Sequence, residues 1–293
     1  MLSNAERNVI MERNIFVLSF PYITIAEGFF MERKVVLITG GSSGIGLAAA
    51  KSLLDRGCLV YEISRREHSE NGIVHIGADV TDEAAVTTAV DRIIQETGRI
   101  DTLINNAGYG ISGAVEFTEP ETAKRLFDVD FFGMVNVTRA VLPHMRQAGR
   151  GRIVNVSSVA ASLPIPFQAY YSAAKAAVNA YTLALADEVK PFGIGVCSVM
   201  PGDIRTGFTA ARIKEHTGDD IYHGRIGRSV AKMEQDETHG MPCETAGIHI
   251  ARIALAKKPG TLHTIGLSYR LDIFLSKILP TGLVRYIVGR MYG

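Results

Sequence analysis

The sequence predicts an α/β fold built on a parallel sheet with helices on both faces. Three observations predict it. From Lys34 onward, short apolar runs alternate with longer helical stretches. The apolar runs are continuous, as in Val35-Val36-Leu37-Ile38, which is the pattern of strands buried on both faces. A glycine-rich segment follows the first run, where a strand must turn sharply into a helix.

The elements follow in order. Ile45 to Asp55 reads as a helix closed by Gly57, and Leu59 to Ile63 as the second strand. An apolar region at Ile76 marks the end of a third. Ala84 to Glu96 is a helix begun by Thr81-Asp82 and ended by Gly98. Leu103-Ile104 is a strand, and Glu121 to Gln147 holds a long helix. Ile153 to Val156 is a strand, Tyr171 to Val189 a helix stopped by Pro191, and Ile194 to Val199 a strand stopped by Pro201-Gly202. There is no repeat, second core or low-complexity linker.

The first thirty residues stand apart. Ile15 to Phe30 is mostly apolar, but Pro21 and Glu27 interrupt it, and it is too short for a spanning helix. The expectation is a poorly ordered extension over 1–30 and a single domain over 31–293, beginning naturally at Met31. A peripheral anchor is the alternative for the extension.

Composition excludes several classes. Of 293 residues, 47% are hydrophobic and 21% charged, and the net charge of +1 gives no argument for nucleic acid. The three cysteines, Cys58, Cys197 and Cys243, are widely spaced, which suits a reducing, cytoplasmic compartment. The histidines show no metal-ligand spacing, so no metal is expected. Asn136-Val-Thr138 and Asn155-Val-Ser157 match glycosylation sequons and read as chance matches in buried elements.

The segment Thr39-Gly40-Gly41-Ser42-Ser43-Gly44-Ile45-Gly46 lies between the first strand and first helix. Glycines there let backbone approach a pyrophosphate, and the helix N-terminus offers free N–H groups and a positive dipole end. The second strand should end beside an adenosine ribose. Ser64, Arg65 and Arg66 occupy that end in place of an acidic residue, and hydroxyl plus guanidinium suits a 2′-phosphate. NADP(H) is therefore preferred over NAD(H), against the alternative of two solvated arginines. Asp79-Val80 stands where the third strand should end. Asp79 either accepts from an adenine amino group or belongs to the start of the next helix. Asn105-Asn106-Ala107-Gly108 ends the fourth strand with small residues and an amide able to tie strands together.

Tyr171 and Lys175 are four residues apart, on one face of a helix. An ammonium beside a phenol favours the phenolate and brings proton exchange within reach of neutral pH. Ser158 closes the fifth strand, at the edge where α/β ligands bind. Its hydroxyl either holds a substrate oxygen or caps a turn.

These motifs occur in order: Thr39-Gly-x-x-x-Gly-Ile-Gly46, Asn105-Asn-Ala-Gly108, Ile153 to Ser158, Tyr171-x-x-x-Lys175 and Pro201-Gly202. Together they resemble the short-chain dehydrogenases/reductases from about Met31 to Thr206. The resemblance implies a Rossmann-type, doubly wound sheet of about seven strands in three layers, hydride transfer, and a Ser158–Tyr171–Lys175 triad. It implies that Gly40, Ser42 to Gly46, Asn106, Ala107 and Gly108 line the cofactor. It also implies that Pro201, Gly202, Ile204 and Thr206 surround the nicotinamide, with Asp79 and Val80 at adenine and Arg65 at the 2′-phosphate. One position departs: Val129-Asp130-Phe131-Phe132-Gly133 carries Asp130 where such proteins commonly have Asn. Asp130 keeps a proton relay that needs a backbone carbonyl and alters one that needs a side-chain amide.

The resemblance places a substrate lid over about 206–241, and the stretch is charge-rich with few large apolar residues. Apolar helices follow over about 270–291, divided by Pro280. They either pack on the domain, cover an apolar substrate, join copies of the chain or touch a membrane surface. The expected activity is NADP(H)-dependent interconversion of a ketone and a secondary alcohol on a lipophilic substrate such as a steroid. A reductase of 3-oxoacyl thioesters and a non-catalytic dinucleotide sensor are the alternatives. A homodimer or homotetramer in the cytoplasm, with a peripheral membrane contact as the variant, completes the expectation.

Overall fold

The computed structural model describes residues 22–25, 29–67 and 70–293, with side chains from Arg33 onward. Most of the extension expected over 1–30 therefore lies outside the described residues. Within it, Tyr22–Ile25 and Phe29–Glu32 form a short antiparallel pair, a unit distinct from Lys34–Gly293.

The main unit is a seven-stranded sheet. Its strands are β1 (Val35–Thr39), β2 (Leu59–Ser64), β3 (Ile73–Gly77), β4 (Thr102–Asn105), β5 (Gly151–Val156), β6 (Ile194–Pro201) and β7 (Leu262–Ile265). The order across the sheet is β7-β6-β5-β4-β1-β2-β3, and every pairing is parallel. The chain runs outward from β1 through β2 to β3, then returns to β4 on the other side. The reversal leaves a crevice at the C-terminal ends of β1 and β4, where helices diverge.

Alternation along the strands builds two cores. Val35 and Leu37 of β1 with Tyr61 and Ile63 of β2 face α2 (Glu83–Thr97), α4 (Met134–Ala148) and α5 (Ala169–Val189), here labelled in chain order after α1 (Gly44–Leu54) and α3 (Pro120–Phe127). Val36, Ile38 and Val60 face α1 and, with α6 (Arg225–Thr238) between in sequence, α7 (Cys243–Leu255). Both faces are dry, which is why the strands read as unbroken apolar runs. Truncating the fully buried Leu37 to Ala should cost about 2–5 kcal/mol.

Local signals set the helix ends. Asp82 caps α2 by accepting from Ala84 N and Ala85 N, and Gly98 ends it in the left-handed region at φ 76°. Asn155, the second sequon residue, is fully buried in β5 and donates to Thr182 Oγ1. Asn105 Nδ2 donates to Asn155 Oδ1 at 2.9 Å, so the amide ties β4 to β5.

Two elements differ from expectation. The long helix over Glu121–Gln147 is interrupted: α3 and α4 are joined by a π-helical turn over Asp128–Gly133. One extra residue in that turn changes the helix phase, and apolar periodicity is too coarse to register it. The lid region is also more regular than its composition suggests. It holds a single turn at Phe208–Ala211, a short parallel pairing of Ile213–Lys214 with Ile111–Ser112, and α6, which buries Ile226, Val230 and Met233. Beyond β7, α8 (Leu267–Ile278) and α9 (Thr281–Tyr292) meet at Pro280 as expected.

Candidate active site

The crevice opens into one cavity of about 1300 Å³. Its first wall is the loop from β1 to α1. A Cβ at Gly46 would lie 2.3 Å from the Gly40 carbonyl oxygen and 2.4 Å from Asn106 Nδ2, so only glycine fits. Gly40 itself sits at φ 65°. Asn106 Nδ2 donates to the carbonyls of Thr39 and Gly40, and Thr39 Oγ1 accepts from the backbone of Asn106 and Ala107. The ends of β1 and β4 are thereby locked to the loop. Unlike α2, α1 has no side-chain cap: Ser43 makes no capping hydrogen bond. Its free N–H groups and positive dipole end suit a pyrophosphate, so the cradle fits a dinucleotide.

Ser64, Arg65, Asp79 and Val80, expected at adenosine, all border the same end of the cavity. Asp79 Oδ1 accepts from Thr81 N and Thr81 Oγ1, and its other oxygen lies 4.0 Å from Arg65 Nη1. Asp79 is thus both a turn residue and a cavity residue, and the true cap is Asp82. Below Ser64 lies a group the sequence did not single out. Glu62 is fully buried and accepts from Ser64 Oγ at 3.2 Å, with His75 Nδ1 also against its carboxylate. Ser64 Oγ is also 3.3 Å from the Arg66 carbonyl, so two acceptors within the protein compete for its one proton, and the arginines carry the positive field of this end.

The opposite half holds Ser158, Tyr171 and Lys175. Ser157 Oγ donates to the Lys175 carbonyl and fixes α5 against β5. Lys175 Nζ lies 5.7 Å from the Tyr171 ring centre and donates to the Val156 carbonyl at 3.3 Å. Ser158 Oγ accepts from Ala160 N, capping the turn Val159–Ala161. The cap reading of Ser158 is the one observed, and a hydroxyl with two lone pairs and one proton keeps capacity for a second partner. Burial pushes the Tyr171 phenol above its ordinary value, while Lys175 and the Ser158 hydroxyl pull it down. A buried phenol between a hydroxyl and an ammonium can pass a proton to an oxygen in the cavity.

Of the residues expected at the site, Asp130 alone does not border the cavity. Gly40, Ser42 to Gly46, Asn106 to Gly108, Pro201, Gly202, Ile204 and Thr206 all do. Asp130 lies behind Lys175, with Oδ2 2.9 Å from Nζ, and Oδ1 accepts from Tyr109 N. The π-helical turn presents it there. A Cβ at Gly108 would come 2.9 Å from Oδ2, so the neighbouring glycine makes room for the carboxylate. Burial raises the Asp130 carboxyl above the usual range, against the pull of Lys175 and the Tyr109 amide. Burial alone would lower Lys175, but Asp130 and Tyr171 outweigh it and hold the ammonium above its ordinary value.

Among the wall residues that sequence reasoning did not single out are Phe208, Arg212 and Glu237. The Phe208 ring lies 5.9 Å from that of Tyr171 and forms the roof of this half. No local signal marks these residues, because they come from a charge-rich segment that folds back over the cavity.

The comparisons agree with this geometry. The family model described as short chain dehydrogenase matches residues 34–217. The chain is 42% identical over 266 residues to a 3-ketodihydrosphingosine reductase of Bacteroides thetaiotaomicron, covering 89% of this chain and 99% of that one. A short-chain dehydrogenase structure from Streptomyces avermitilis superposes with a TM-score of 0.75 at 31% identity, over 89% of this chain and 96% of its own. A 3-ketoacyl-(acyl-carrier-protein) reductase of Brucella melitensis, solved with NADH, does so with a TM-score of 0.66 at 28% identity, over 79% and 96%. With its parallel sheet, glycine cradle and Tyr171–Lys175 helix beside them, the chain belongs to the short-chain dehydrogenase/reductase family and is an oxidoreductase.

Proposed function

We propose that this chain is an NADP(H)-dependent reductase of a lipophilic ketone, with a long-chain keto lipid as the first substrate class. The observation that carries the reading is the placement of Ser158, Tyr171 and Lys175 across one cavity from the dinucleotide cradle. The bound dinucleotide supplies hydride to the carbonyl carbon. Ser158 holds the carbonyl oxygen, Tyr171 gives it a proton, and Lys175 stabilises the phenolate left behind. Asp130 positions Lys175. Arg65 and Arg66 at the end of β2 support NADP(H) over NAD(H), since neither side chain opposes a 2′-phosphate.

The long-chain reading rests on the full-length relative that reduces 3-ketodihydrosphingosine. A hydroxysteroid is the second lipophilic candidate, and a 3-oxoacyl thioester reductase is supported by the Brucella neighbour. The complete Ser–Tyr–Lys set argues against a non-catalytic sensor. The test is turnover of 3-ketodihydrosphingosine, steroids, retinoids, 3-oxoacyl thioesters and aliphatic ketones with NADPH and NADH, followed by cofactor absorbance. Preference for a long-chain ketone with NADPH is expected. Exclusive activity on thioesters would overturn the substrate class, and no turnover at all would overturn the reading.

No helix among the described residues is long and apolar enough to cross a membrane. A peripheral contact is supported by α8 and α9. They expose Leu271, Phe274, Ile278, Tyr286, Ile287 and Met291, flanked by Arg270, Lys277, Arg285 and Arg290 with Asp272 the acidic exception. Residence in the cytoplasm against an anionic membrane surface fits this pattern, and assembly as a homodimer or homotetramer is to be read by light scattering.

A further inference from the structure

The substrate half of the cavity contains a cation that the reaction does not use. Arg212 follows the single turn Phe208–Ala211, and its side chain is 1% exposed. Its Nη2 is paired with the Glu237 carboxylate on α6, which also accepts from Thr209 Oγ1. The Phe208 ring covers the guanidinium at 5.5 Å. Nε and Nη1 are enclosed and find no acceptor among the described residues. Gly110 borders the guanidinium edge, where a Cβ would sit 3.3 Å from Nε. Arg212, Glu237, Phe208 and Tyr171 all line the cavity.

Two nitrogens without an acceptor, carrying three N–H groups on a buried cation, are costly, and they call for an acceptor that the described residues do not supply. The charge balance says what kind. Glu237 already neutralises Arg212, so a carboxylate or phosphate placed there would face the Glu237 oxygens. A hydroxyl meets no such opposition. Its oxygen can accept from Arg212 while its proton is donated to Glu237, which gives each group a partner. Phe208 packs against both, 5.9 Å from the Tyr171 ring and 5.5 Å from the Arg212 guanidinium, so the hydroxyl belongs a short way along the molecule from the reacting carbonyl. Apolar walls at Ile165, Ile213 and Met233 take the remainder.

We infer that Arg212 and Glu237 form a specificity site for a hydroxyl group carried by the ketone substrate. The inference rests on the ketone-reductase reading and sharpens it: the preferred substrate is a hydroxyketone with an apolar remainder, not a plain hydrocarbon ketone.

The test compares two pairs of ketones that differ only by the hydroxyl: 3-ketodihydrosphingosine against its analogue lacking the primary hydroxyl, and 4-hydroxybutan-2-one against butan-2-one. The wild type should prefer the hydroxylated member by about 10- to 100-fold in kcat/KM. Arg212→Met should lower only the hydroxylated member, to the level of its partner. Glu237→Gln, which keeps the shape and frees the cation, should raise kcat/KM for 4-oxopentanoate by about tenfold. Thermal unfolding of each variant, with and without NADPH, checks folding and cofactor binding.

Equal loss on both members in Arg212→Met, or no preference in a wild type that reduces all four ketones, overturns the inference and leaves the reductase reading standing. Unchanged 4-oxopentanoate reduction by a folded Glu237→Gln also overturns it. A wild type that binds NADPH but reduces none of the four overturns both.

Discussion

Replacing Asp130 by Asn should make Tyr171 more acidic and move the pH profile of the enzyme. The carboxylate lies 2.9 Å from Lys175 Nζ, which lies 5.7 Å from the Tyr171 ring centre. The carboxylate is therefore within about 9 Å of that ring, where at an effective dielectric of about 20 it costs the phenolate about 2 kcal/mol. In the wild type this repulsion opposes the ammonium and, with burial, keeps the phenol above its ordinary value. Asn keeps an oxygen for the Tyr109 amide and removes the charge.

The sign is then fixed. Ketone reduction needs the protonated phenol, so its alkaline limb should move to lower pH in Asp130→Asn. Alcohol oxidation needs the phenolate, so below that limb it should speed up by roughly 10- to 30-fold. The assay is kcat/KM in both directions from pH 6 to 10, on enzyme shown by circular dichroism to be folded. Superimposable profiles would refute the reasoning, because they would mean that Asp130 carries no charge in the working enzyme.

Four other outcomes are expected. Tyr171→Phe should lower turnover by about 10²- to 10⁴-fold while NADPH binding, measured by fluorescence, stays near wild type. Ser64→Asp should shift preference toward NADH by at least about tenfold in the ratio of kcat/KM values, since the new carboxylate adds to that of buried Glu62 at the end of β2 and opposes a 2′-phosphate. Gly46→Ala places a Cβ 2.3 Å from the Gly40 carbonyl oxygen, so it should lose about 1–3 kcal/mol in denaturant unfolding and weaken NADPH binding in calorimetry. Changing Leu271, Phe274 and Ile278 together to Ser should release the protein from phosphatidylglycerol vesicles in sedimentation while turnover of butan-2-one is kept.

The site was legible in the sequence wherever chemistry followed chain order. A glycine loop must join a strand to a helix, and residues four apart must share a helix face. Thus Gly40 to Gly46 and the Tyr171–Lys175 pair could be read locally. Ser158 and Asn106 were legible because strand ends converge on one edge of a parallel sheet. The strands of the sheet were legible because burial on both faces leaves continuous apolar runs. The π-helical turn was not, since hydrogen-bond register leaves little trace in apolar periodicity.

Other features were decided only in three dimensions. Glu62 and Arg212 are charged residues in segments that read as strand and lid, and a charge in sequence says nothing about enclosure. Folding buried Glu62 under Ser64 and closed Arg212 beneath Phe208 against Glu237. Asp130 was visible as a departure, but its ion pair with Lys175 joins residues forty-five apart in the chain. The sequence by itself determined the sheet, the cradle and the Tyr171–Lys175 helix, because each depends on local spacing. Tertiary packing decided which charges lost their water and found one another, because enclosure brings together segments that lie far apart in the chain.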